Sequence, residues 1–253
     1  MRNKKQFVLL LVAAFVFATV VYYSHALLDQ VGYAQPGVTN FVTINHPTSF
    51  RDQNRAVFQK MGLTYLKNIE FDLSVIPKYL EVKHSERYLA NPAYYDGLEK
   101  KYGKLISQGY VVPMSIRFIN SKIGYGTFAE SHIAKDQMVG EYTGIVMATK
   151  EIKDTKYTWD YLAGYDEQGK EFKFSVDAAK FGNEMRFVNH DYQPNAVMKY
   201  IPQGGVWHVV YIASRPIKKG EQILTDYGKR YWAGSRGAPH QFVNIDGIQN
   251  SLS

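Results

Sequence analysis

The stretch RFVNHDYQPN at residues 186–195 surrounds a short apolar pair, Phe187 and Val188, with polar side chains. Those polar side chains are Arg186, Asn189, His190, Asp191 and Asn195. On residue types alone, the stretch is typical of a buried strand that ends in a turn, because Asn, Asp and Pro are common turn residues. Polar groups packed this densely also need hydrogen-bond partners. The other segments of the chain therefore decide between a plain turn and a binding site.

Composition indicates a folded globular protein. The chain has 253 residues, of which 45% are hydrophobic and 15% aromatic, enough for one large domain or two small ones. The formal net charge is +7, but three of the positive charges lie within residues 1–26 and no basic run follows, so we expect no direct binding of nucleic acid. The chain has no Cys, which excludes disulfides, thiolate zinc sites and a cysteine nucleophile.

The first 26 residues have the order of a targeting segment. Three basic side chains within residues 1–5 precede an apolar run at 7–23 in which only Thr19 is polar, and residues 24–26 read Ser-His-Ala. This order resembles a secretory signal with a cleavage site. The run is also close to the roughly 20 residues of a membrane-spanning helix. We therefore expect an export signal or a single-pass anchor whose basic end lies in the cytoplasm.

The texture of the sequence changes near residue 113. Before it, residues 27–113 are predicted to form a helical flanking region, because apolar side chains recur at helical intervals in 52–66 and again in 94–106. After it come short apolar or alternating runs at residues 115–119, 139–143, 144–148, 170–176, 196–201 and 206–212. These runs predict a mainly β domain with a hairpin turn at 202–205, and they disfavour a doubly wound sheet.

Four segments in fixed order give the opening stretch a context. They are Ile-Gly-Tyr-Gly at 123–126, Glu-Tyr-Thr-Gly at 141–144, the stretch at 186–195, and Leu-Thr-Asp-Tyr-Gly at 224–228. A single GxG or Asn-His pair means little, but in this order the set resembles the SET domain of protein lysine methyltransferases. The resemblance covers about residues 115–232. It implies a SET-domain β-clip fold of short strands with a pseudoknot, at residues 114–232, followed by a tail at 233–253.

The resemblance implies transfer of a methyl group from S-adenosylmethionine to a lysine side chain of a protein. For this in-line displacement the protein supplies position, exclusion of water and a neutral amine. An apolar channel favours the neutral amine, because it lowers the lysine pKa from its usual value near 10.4. The implied catalytic residues are Tyr227 and Tyr142. The implied cofactor-binding residues are Gly124, Tyr125, Gly126, Tyr157, Arg186, Asn189, His190, Tyr227 and Trp232.

Each implied residue has an expected role. The Tyr227 hydroxyl would orient the amine and the methyl group, and Tyr142 would line the channel and hydrogen-bond the same amine. Gly124 and Gly126 would let the backbone approach the cofactor. Arg186 would support the loop or the cofactor carboxylate. Asn189 and His190 would hold the cofactor through side-chain and backbone bonds.

The neighbouring positions have other expected roles. Asn195 is expected to brace the turn, and Glu141 to be a surface charge at a strand end rather than a general base. Of the aromatic residues at 157–161, only Tyr157 is taken as a site candidate.

Two positions depart from the family pattern. Tyr192 stands where many relatives carry a zinc-binding Cys, so we expect no zinc, and another element must cover the cofactor. Tyr231, Trp232 or residues 234–242 are available, and Trp232 is able to stack on adenine. Thr225 stands where an aromatic residue often limits how many methyl groups the amine receives. A smaller residue leaves room unless another Tyr fills it, so the number of methyl groups stays open.

The sequence thus predicts a protein-lysine N-methyltransferase that acts on histones or another basic protein. The alternative is a SET-like module that binds proteins without catalysis. Because S-adenosylmethionine is cytosolic, an exported enzyme would be idle outside a cell. Either the protein is secreted and delivered into another cell, as a bacterial effector would be, or it is anchored in an internal membrane with its domain facing the cofactor. Contact with a membrane is expected only through the N-terminal segment.

Overall fold

A computed structural model of the chain describes residues 49–72, 75, 81–165 and 169–232. The predicted targeting segment and the predicted tail at 233–253 lie outside the described residues. Within the described residues, no helix is both long and apolar enough to cross a lipid bilayer.

The flanking region contains helices and two short strands. In chain order it comprises α1 (Phe50–Lys60), β1 (Thr64–Tyr65), β2 (Glu70–Phe71), a 3-10 turn (Val82–His84), α2 (Glu86–Ala90) and α3 (Pro92–Ser107). The hydroxyl of Ser49 caps α1, and the side chain of Asn91 caps α3 ahead of its first-turn proline. The helix predicted within 94–106 is confirmed. The helix predicted over 52–66 ends at Lys60 instead, followed by Gly62 with φ +65°, and Tyr65 lies in a strand.

The remaining chain is mostly strand, which confirms the predicted mainly β fold. The strands are β3 (Met114–Asn120), β4 (Gly124–Ala129), β5 (Met138–Glu141), β6 (Ile145–Ala148), β7 (Thr158–Tyr165), β8 (Glu171–Asp177), β9 (Phe181–Gly182), β10 (Asn189–His190), β11 (Ala196–Gln203), β12 (Val206–Ala213) and β13 (Leu224–Thr225). Three 3-10 turns, at Thr149–Glu151, Thr155–Tyr157 and Glu184–Phe187, and a final short helix, α4 (Lys229–Trp232), accompany them.

The strands form several small sheets. Their orders are β2-β6-β8-β7, β11-β12-β5, β3-β4, β1-β9 and β10-β13. The hairpin between β11 and β12 turns at Gly204 and Gly205, both at positive φ, so the hairpin predicted at 202–205 is confirmed. On the β11-β12-β5 sheet, α3 buries Tyr102 and Ile106 in a shared apolar cluster.

The pairing of β10 with β13 brings two distant parts of the sequence together. The strands are parallel, with Asn189 opposite Leu224 and His190 opposite Thr225. Asn195 is fully buried beside them: its amide donates to the carbonyl of Gln222 at 2.7 Å and accepts from the backbone N–H of Leu224 at 2.8 Å. The expectation that Asn195 braces the turn is therefore confirmed.

Candidate functional site

A cavity of about 700 Å³ opens beside β10 and β13, and its wall is rich in aromatic side chains. The larger aromatic residues in the wall are Tyr125, Tyr142, Tyr157, Trp159, Tyr211, Tyr227, Tyr231 and Trp232. Gly124, Arg186, Asn189 and His190 also line it. Every residue that the sequence assigns to the site lies in this wall except Gly126. Arg186, Asn189 and His190 of the opening stretch therefore face a shared cavity, whereas Asp191 and Asn195 do not line it.

The two glycines of β4 have different reasons for being glycine. Gly124 has φ +83°, a conformation that side chains disfavour, and a Cβ there would meet open space. A Cβ on Gly126 would lie 2.6 Å from Gln222 Nε2 and 2.9 Å from Asn189 Nδ2. Gly126 thus makes room for the amide of Asn189 and is not among the residues that line the cavity, and its expected role in backbone approach to the cofactor stays a prediction.

Asn189 ties β10 to β4. Its side-chain amide donates to the carbonyl oxygen of Tyr125 at 3.1 Å. The Tyr125 ring in turn packs edge-on against Phe118 and Phe187, with centroids 5.5 and 6.1 Å away. This corner of the cavity is therefore fixed by both a hydrogen bond and ring packing.

His190 is buried with one ring nitrogen in use. Its Nδ1 accepts a hydrogen bond from the backbone N–H of Tyr227 at 3.1 Å, so the proton of the neutral imidazole sits on Nε2. Burial lowers the pKa of His190, against the opposing effect of Asp226 and Asp191. Nε2 is buried and has no hydrogen-bond partner within the described part of the chain. It is a donor without an acceptor in a residue that lines the cavity.

Arg186 holds the loop from inside. Its Nε donates to the carbonyl of Ala178 at 2.9 Å and its Nη2 to that of Ala179 at 3.3 Å. The guanidinium also lies over the rings of Tyr157 and Phe187, 4.2 and 4.7 Å from their centroids. Burial lowers its pKa, and its Nη1 is buried with no hydrogen bond to any residue that the structure describes. The expected support of the loop is thus visible.

Tyr227 and Trp232 pack together at one end of the cavity. The Tyr227 hydroxyl donates to the carbonyl of Val188 at 2.8 Å, and burial raises its pKa well above the ordinary value. The two rings are nearly parallel, at 16° and 6.1 Å, so Tyr227 lies along one face of Trp232. The indole Nε1 of Trp232 is buried and unpartnered among the described residues.

Tyr142 stands in a triangle of aromatic rings with Trp159 and Tyr211. The three centroid distances are 6.2 to 6.3 Å. The Tyr142 hydroxyl donates to the carbonyl of Tyr157 at 2.7 Å, and the indole N–H of Trp159 donates to the Tyr211 hydroxyl at 2.9 Å. Burial, and secondarily Tyr227, raises the Tyr142 pKa. Sequence pattern does not single out Tyr211, because it lies in a strand that is buried almost throughout.

Glu141 is not the surface charge expected from the sequence. It is 1% exposed, and one carboxylate oxygen contacts Nδ1 of His208 on the neighbouring strand β12. Its other oxygen has no partner within the described residues. Because β5 pairs with β12 at this point, the carboxylate is carried into the interior beside a histidine 67 residues away in sequence.

The two positions that depart from the family pattern have distinct environments. Tyr192 is 62% exposed, and its ring packs edge-on against His190 at 4.8 Å. Thr225 is buried opposite His190 and does not line the cavity, whereas Tyr211 does. The described residues contain no group of three His, Asp or Glu side chains placed to hold a metal ion.

Residues 124–228 match the family described as "SET domain". This segment is a SET domain. The match begins at Gly124 of the cavity wall and ends just after Tyr227, so it contains most of that wall, while Met61, Tyr231 and Trp232 line the cavity from outside the matched segment. Its ends fall inside the boundaries predicted from the sequence.

Named relatives share this SET domain. Over 162 residues the chain is 33% identical to the N-lysine methyltransferase KMT5A-A of Danio rerio, covering 61% of this chain and 46% of that protein. Over 150 residues it is 30% identical to the histone-lysine N-methyltransferase ash1 of Drosophila melanogaster, covering 56% of this chain and 6% of that protein. The chain therefore spans less than half the length of either relative.

A solved structure agrees at the level of the fold. The crystal structure of ATXR5 in complex with mono-methylated histone H3.1 superposes with a TM-score of 0.56 at 18% sequence identity. The match covers 80% of this chain and 98% of the ATXR5 chain. The SET domain of this protein thus has the architecture expected from the four motifs.

Proposed function

We propose that this protein is an S-adenosylmethionine-dependent protein-lysine N-methyltransferase. The observation that carries the proposal is a set of buried donor atoms on the cavity wall without acceptors: Arg186 Nη1, His190 Nε2 and Trp232 Nε1. Buried donors are costly unless something accepts from them, so they favour a ligand with several acceptor groups. S-adenosylmethionine carries a carboxylate and adenine nitrogens, and a cavity of about 700 Å³ is in the size range of cofactor sites.

Holding the cofactor would fall to Arg186, Asn189, His190 and Trp232. Arg186 contributes a positive charge for a carboxylate, and the neutral His190 and the indole of Trp232 contribute single N–H donors. When bound, S-adenosylmethionine supplies an electrophilic methyl group. Tyr157 packs on Arg186 and so keeps the guanidinium plane in place.

The two catalytic tyrosines would orient the amine as hydrogen-bond acceptors. Each hydroxyl proton is already donated to a backbone carbonyl, that of Val188 for Tyr227 and that of Tyr157 for Tyr142. Each oxygen therefore keeps lone pairs for the N–H groups of an amine. The raised pKa values of Tyr227 and Tyr142 keep both hydroxyls neutral at physiological pH. Fixing the N–H groups in this way directs the lone pair of the amine.

The aromatic triangle would favour the neutral amine. Tyr142, Trp159 and Tyr211 surround their part of the cavity with aromatic rings. Such an apolar wall would exclude water and so penalise the charged ammonium form of a lysine. The relatives named N-lysine and histone-lysine methyltransferases support a lysine as the acceptor. A lysine-containing protein, with histones as the first candidate, is therefore the proposed substrate.

Replacing Tyr227 by Phe tests the catalytic assignment. The purified full chain would be titrated with S-adenosylmethionine by calorimetry and then incubated with methyl-labelled cofactor and core histones or a cell lysate. We expect wild type to bind the cofactor and to label a protein. Tyr227→Phe should lower the rate of transfer by about 100-fold or more, because it removes the acceptor that orients the amine.

Two outcomes would count against this scheme. If Tyr227→Phe labels as fast as wild type, the catalytic assignment fails. If the wild-type chain binds neither S-adenosylmethionine nor its demethylated product, the enzyme proposal fails and the alternative of a non-catalytic binding module gains. Tyr102→Phe is a suitable control, since Tyr102 is a buried tyrosine of α3 that does not line the cavity.

A further inference from the structure

A buried polar cluster outside the cavity joins the flanking region to the SET domain. It consists of Asn54 on α1, Tyr65 on β1 and Glu184 at the start of the 3-10 turn Glu184–Phe187. Asn54 and Glu184 are each 2% exposed, and none of the three side chains lines the 700 Å³ cavity. The role of these groups is therefore not explained by contact with a ligand in that cavity.

Each polar atom of the cluster has a partner. Asn54 Nδ2 donates to the Met114 carbonyl at 2.9 Å and to Glu184 Oε1 at 3.2 Å, and Asn54 Oδ1 accepts from the backbone N–H of Ile116 at 2.9 Å. The Tyr65 hydroxyl donates to Glu184 Oε2 at 3.0 Å. Asn54 thus binds the edge of β3 as a neighbouring strand would, and both oxygens of the Glu184 carboxylate are satisfied by flanking residues.

The cluster leads directly into the cavity wall. Glu184 begins the 3-10 turn Glu184–Phe187, which contains Arg186 of the cavity wall. β10, with Asn189 and His190 of the same wall, begins two residues after that turn ends. Phe58 of α1 packs edge-on against Phe187 with centroids 5.5 Å apart. The same turn is therefore held by a carboxylate at its start and by a ring at its end.

The backbone of the flank adds a second attachment just before this turn. β1 pairs in parallel with β9. The backbone N–H of Thr64 donates to the carbonyl of Lys180 at 2.9 Å, and that of Leu66 to the carbonyl of Gly182 at 2.7 Å. α1 and β1 consequently hold residues 180–187 at four points, which are Lys180, Gly182, Glu184 and Phe187.

We propose that Asn54 and Tyr65 are positioning residues that act through Glu184 to hold Arg186, Asn189 and His190 ready for the cofactor. The inference rests on the proposed function. A buried carboxylate with both oxygens paired has one favourable arrangement, and removing one partner favours arrangements in which the oxygen reaches water. If only a fraction of molecules then keeps the competent loop, the apparent Kd rises by the inverse of that fraction.

Tyr65→Phe tests the proposal in the full chain, with Tyr102→Phe as the matched control. Both changes remove one hydroxyl donor. The Tyr102 hydroxyl donates to the carbonyl of Asp136 with an O···O distance of 2.8 Å, and neither residue lines the cavity. Calorimetry should give a Kd for S-adenosylmethionine raised about tenfold in Tyr65→Phe and within about twofold of wild type in Tyr102→Phe. In turnover, Tyr65→Phe should raise the KM for the cofactor and leave kcat near the wild-type value. Equal effects in the two variants, or no change in Tyr65→Phe, would overturn the proposal.

Hydrogen exchange separates this inference from the proposed function. The backbone amides of residues 186–190 should exchange faster in Tyr65→Phe than in wild type. In Tyr102→Phe their exchange rates should equal those of wild type. If wild type fails to bind the cofactor but this pattern appears, the positioning role stands and the assigned cofactor is wrong. Unchanged exchange in Tyr65→Phe would count against positioning whatever the cofactor.

Variants of Glu184 test whether the effect passes through its carboxylate. Glu184→Gln retains an acceptor for Asn54 and offers an N–H to the Tyr65 oxygen, so its Kd should stay within about threefold of wild type. Glu184→Leu should raise the Kd about as much as Tyr65→Phe. Combining Glu184→Leu with Tyr65→Phe should add less than about twofold, because both remove the same contact. Fully additive losses would show that the two residues act independently.

Discussion

His190 shows how one backbone hydrogen bond fixes the chemistry of a side chain. Because Nδ1 accepts from the N–H of Tyr227, the ring must be neutral, and protonation would break that bond. Burial already lowers the pKa of His190 in the folded state. The unfolded chain, with a His pKa near 6.5, takes up the proton more readily. Stability linked to His190 is therefore present above pH 6.5 and is lost as the pH falls toward the lower folded pKa.

We accordingly expect NMR titration to give His190 a pKa below about 6.5. The thermal stability of the wild type should fall between pH 7.5 and 5, and part of that fall should be absent in His190→Gln, which cannot be protonated. The carboxylates of Asp226 and Asp191 act in the opposite direction. A His190 imidazole that titrates at or above the ordinary value would contradict the assigned tautomer.

Single residues also mark where the sequence was informative. Arg186, Asn189, His190 and Tyr227 could be assigned to one cavity from the sequence because their motif positions are fixed relative to one another. Glu141 was misplaced because charged side chains are rarely buried, and its partner His208 is visible only once β5 and β12 are paired.

At the scale of elements, β4 and β10 approach closely because Gly126 has no side chain, which leaves room for the amide of Asn189. Gly126→Ala would push a methyl group into the amide of Asn189 and the side chain of Gln222. We expect it to cost about 1–3 kcal/mol of stability from overpacking, and to weaken binding of S-adenosylmethionine by displacing Asn189 from Tyr125. Thermal melting and calorimetry on the same variant would measure both effects.

Gly205→Ala is the control for that prediction. Gly205 has φ +85° in the turn between β11 and β12 and does not line the cavity. The strain of a side chain in the left-handed region should destabilise Gly205→Ala by about 1–2 kcal/mol without changing cofactor affinity. If Gly126→Ala bound the cofactor as tightly as Gly205→Ala, the proposed coupling of β4 to β10 would be wrong.

The limits of periodicity are clearest in two elements. α1 stops at Lys60 although apolar spacing continues to Tyr65, because the chain turns at Gly62 and enters β1. In β12 nearly every side chain is buried, so the strand has no alternating pattern that would separate Tyr211 from its core neighbours. For the longer elements, such as α3, β11 and β12, sequence pattern thus predicted the class more accurately than the ends or the inward face, whereas the two-residue strand β1 was wrongly predicted as helix.

At the scale of the whole molecule, we propose that residues 1–26 direct the protein to or across a membrane. The basic residues at the start of this segment, its apolar run and the small residues that follow support targeting. Because the proposed reaction needs cytosolic S-adenosylmethionine, two destinations fit: delivery into another cell, or anchorage in an internal membrane. The full chain and a version lacking residues 1–26, each tagged at the C-terminus, would be compared by fractionation and protease protection. We expect only the full chain to leave the soluble fraction or the cell.

The location of the SET domain is the decisive part of that experiment. A domain protected in a compartment that contains the cofactor would agree with methyl transfer. A domain found only where the cofactor is absent would count against methyl transfer as its role. If deletion of residues 1–26 changed nothing, the targeting proposal would fail.

The parallel pairing of β10 with β13 has a consequence for biosynthesis. His190 and its partners at 225 and 227 are separated by more than 30 residues, including the whole β11–β12 hairpin. A ribosome-bound chain that has exposed only the first of these strands has no cavity, however well its earlier strands are paired. Contacts between distant segments form slowly. We therefore expect the pocket to be completed late in folding, and a nascent chain to gain no stability from a ligand of this pocket until the strand at 224–225 has emerged.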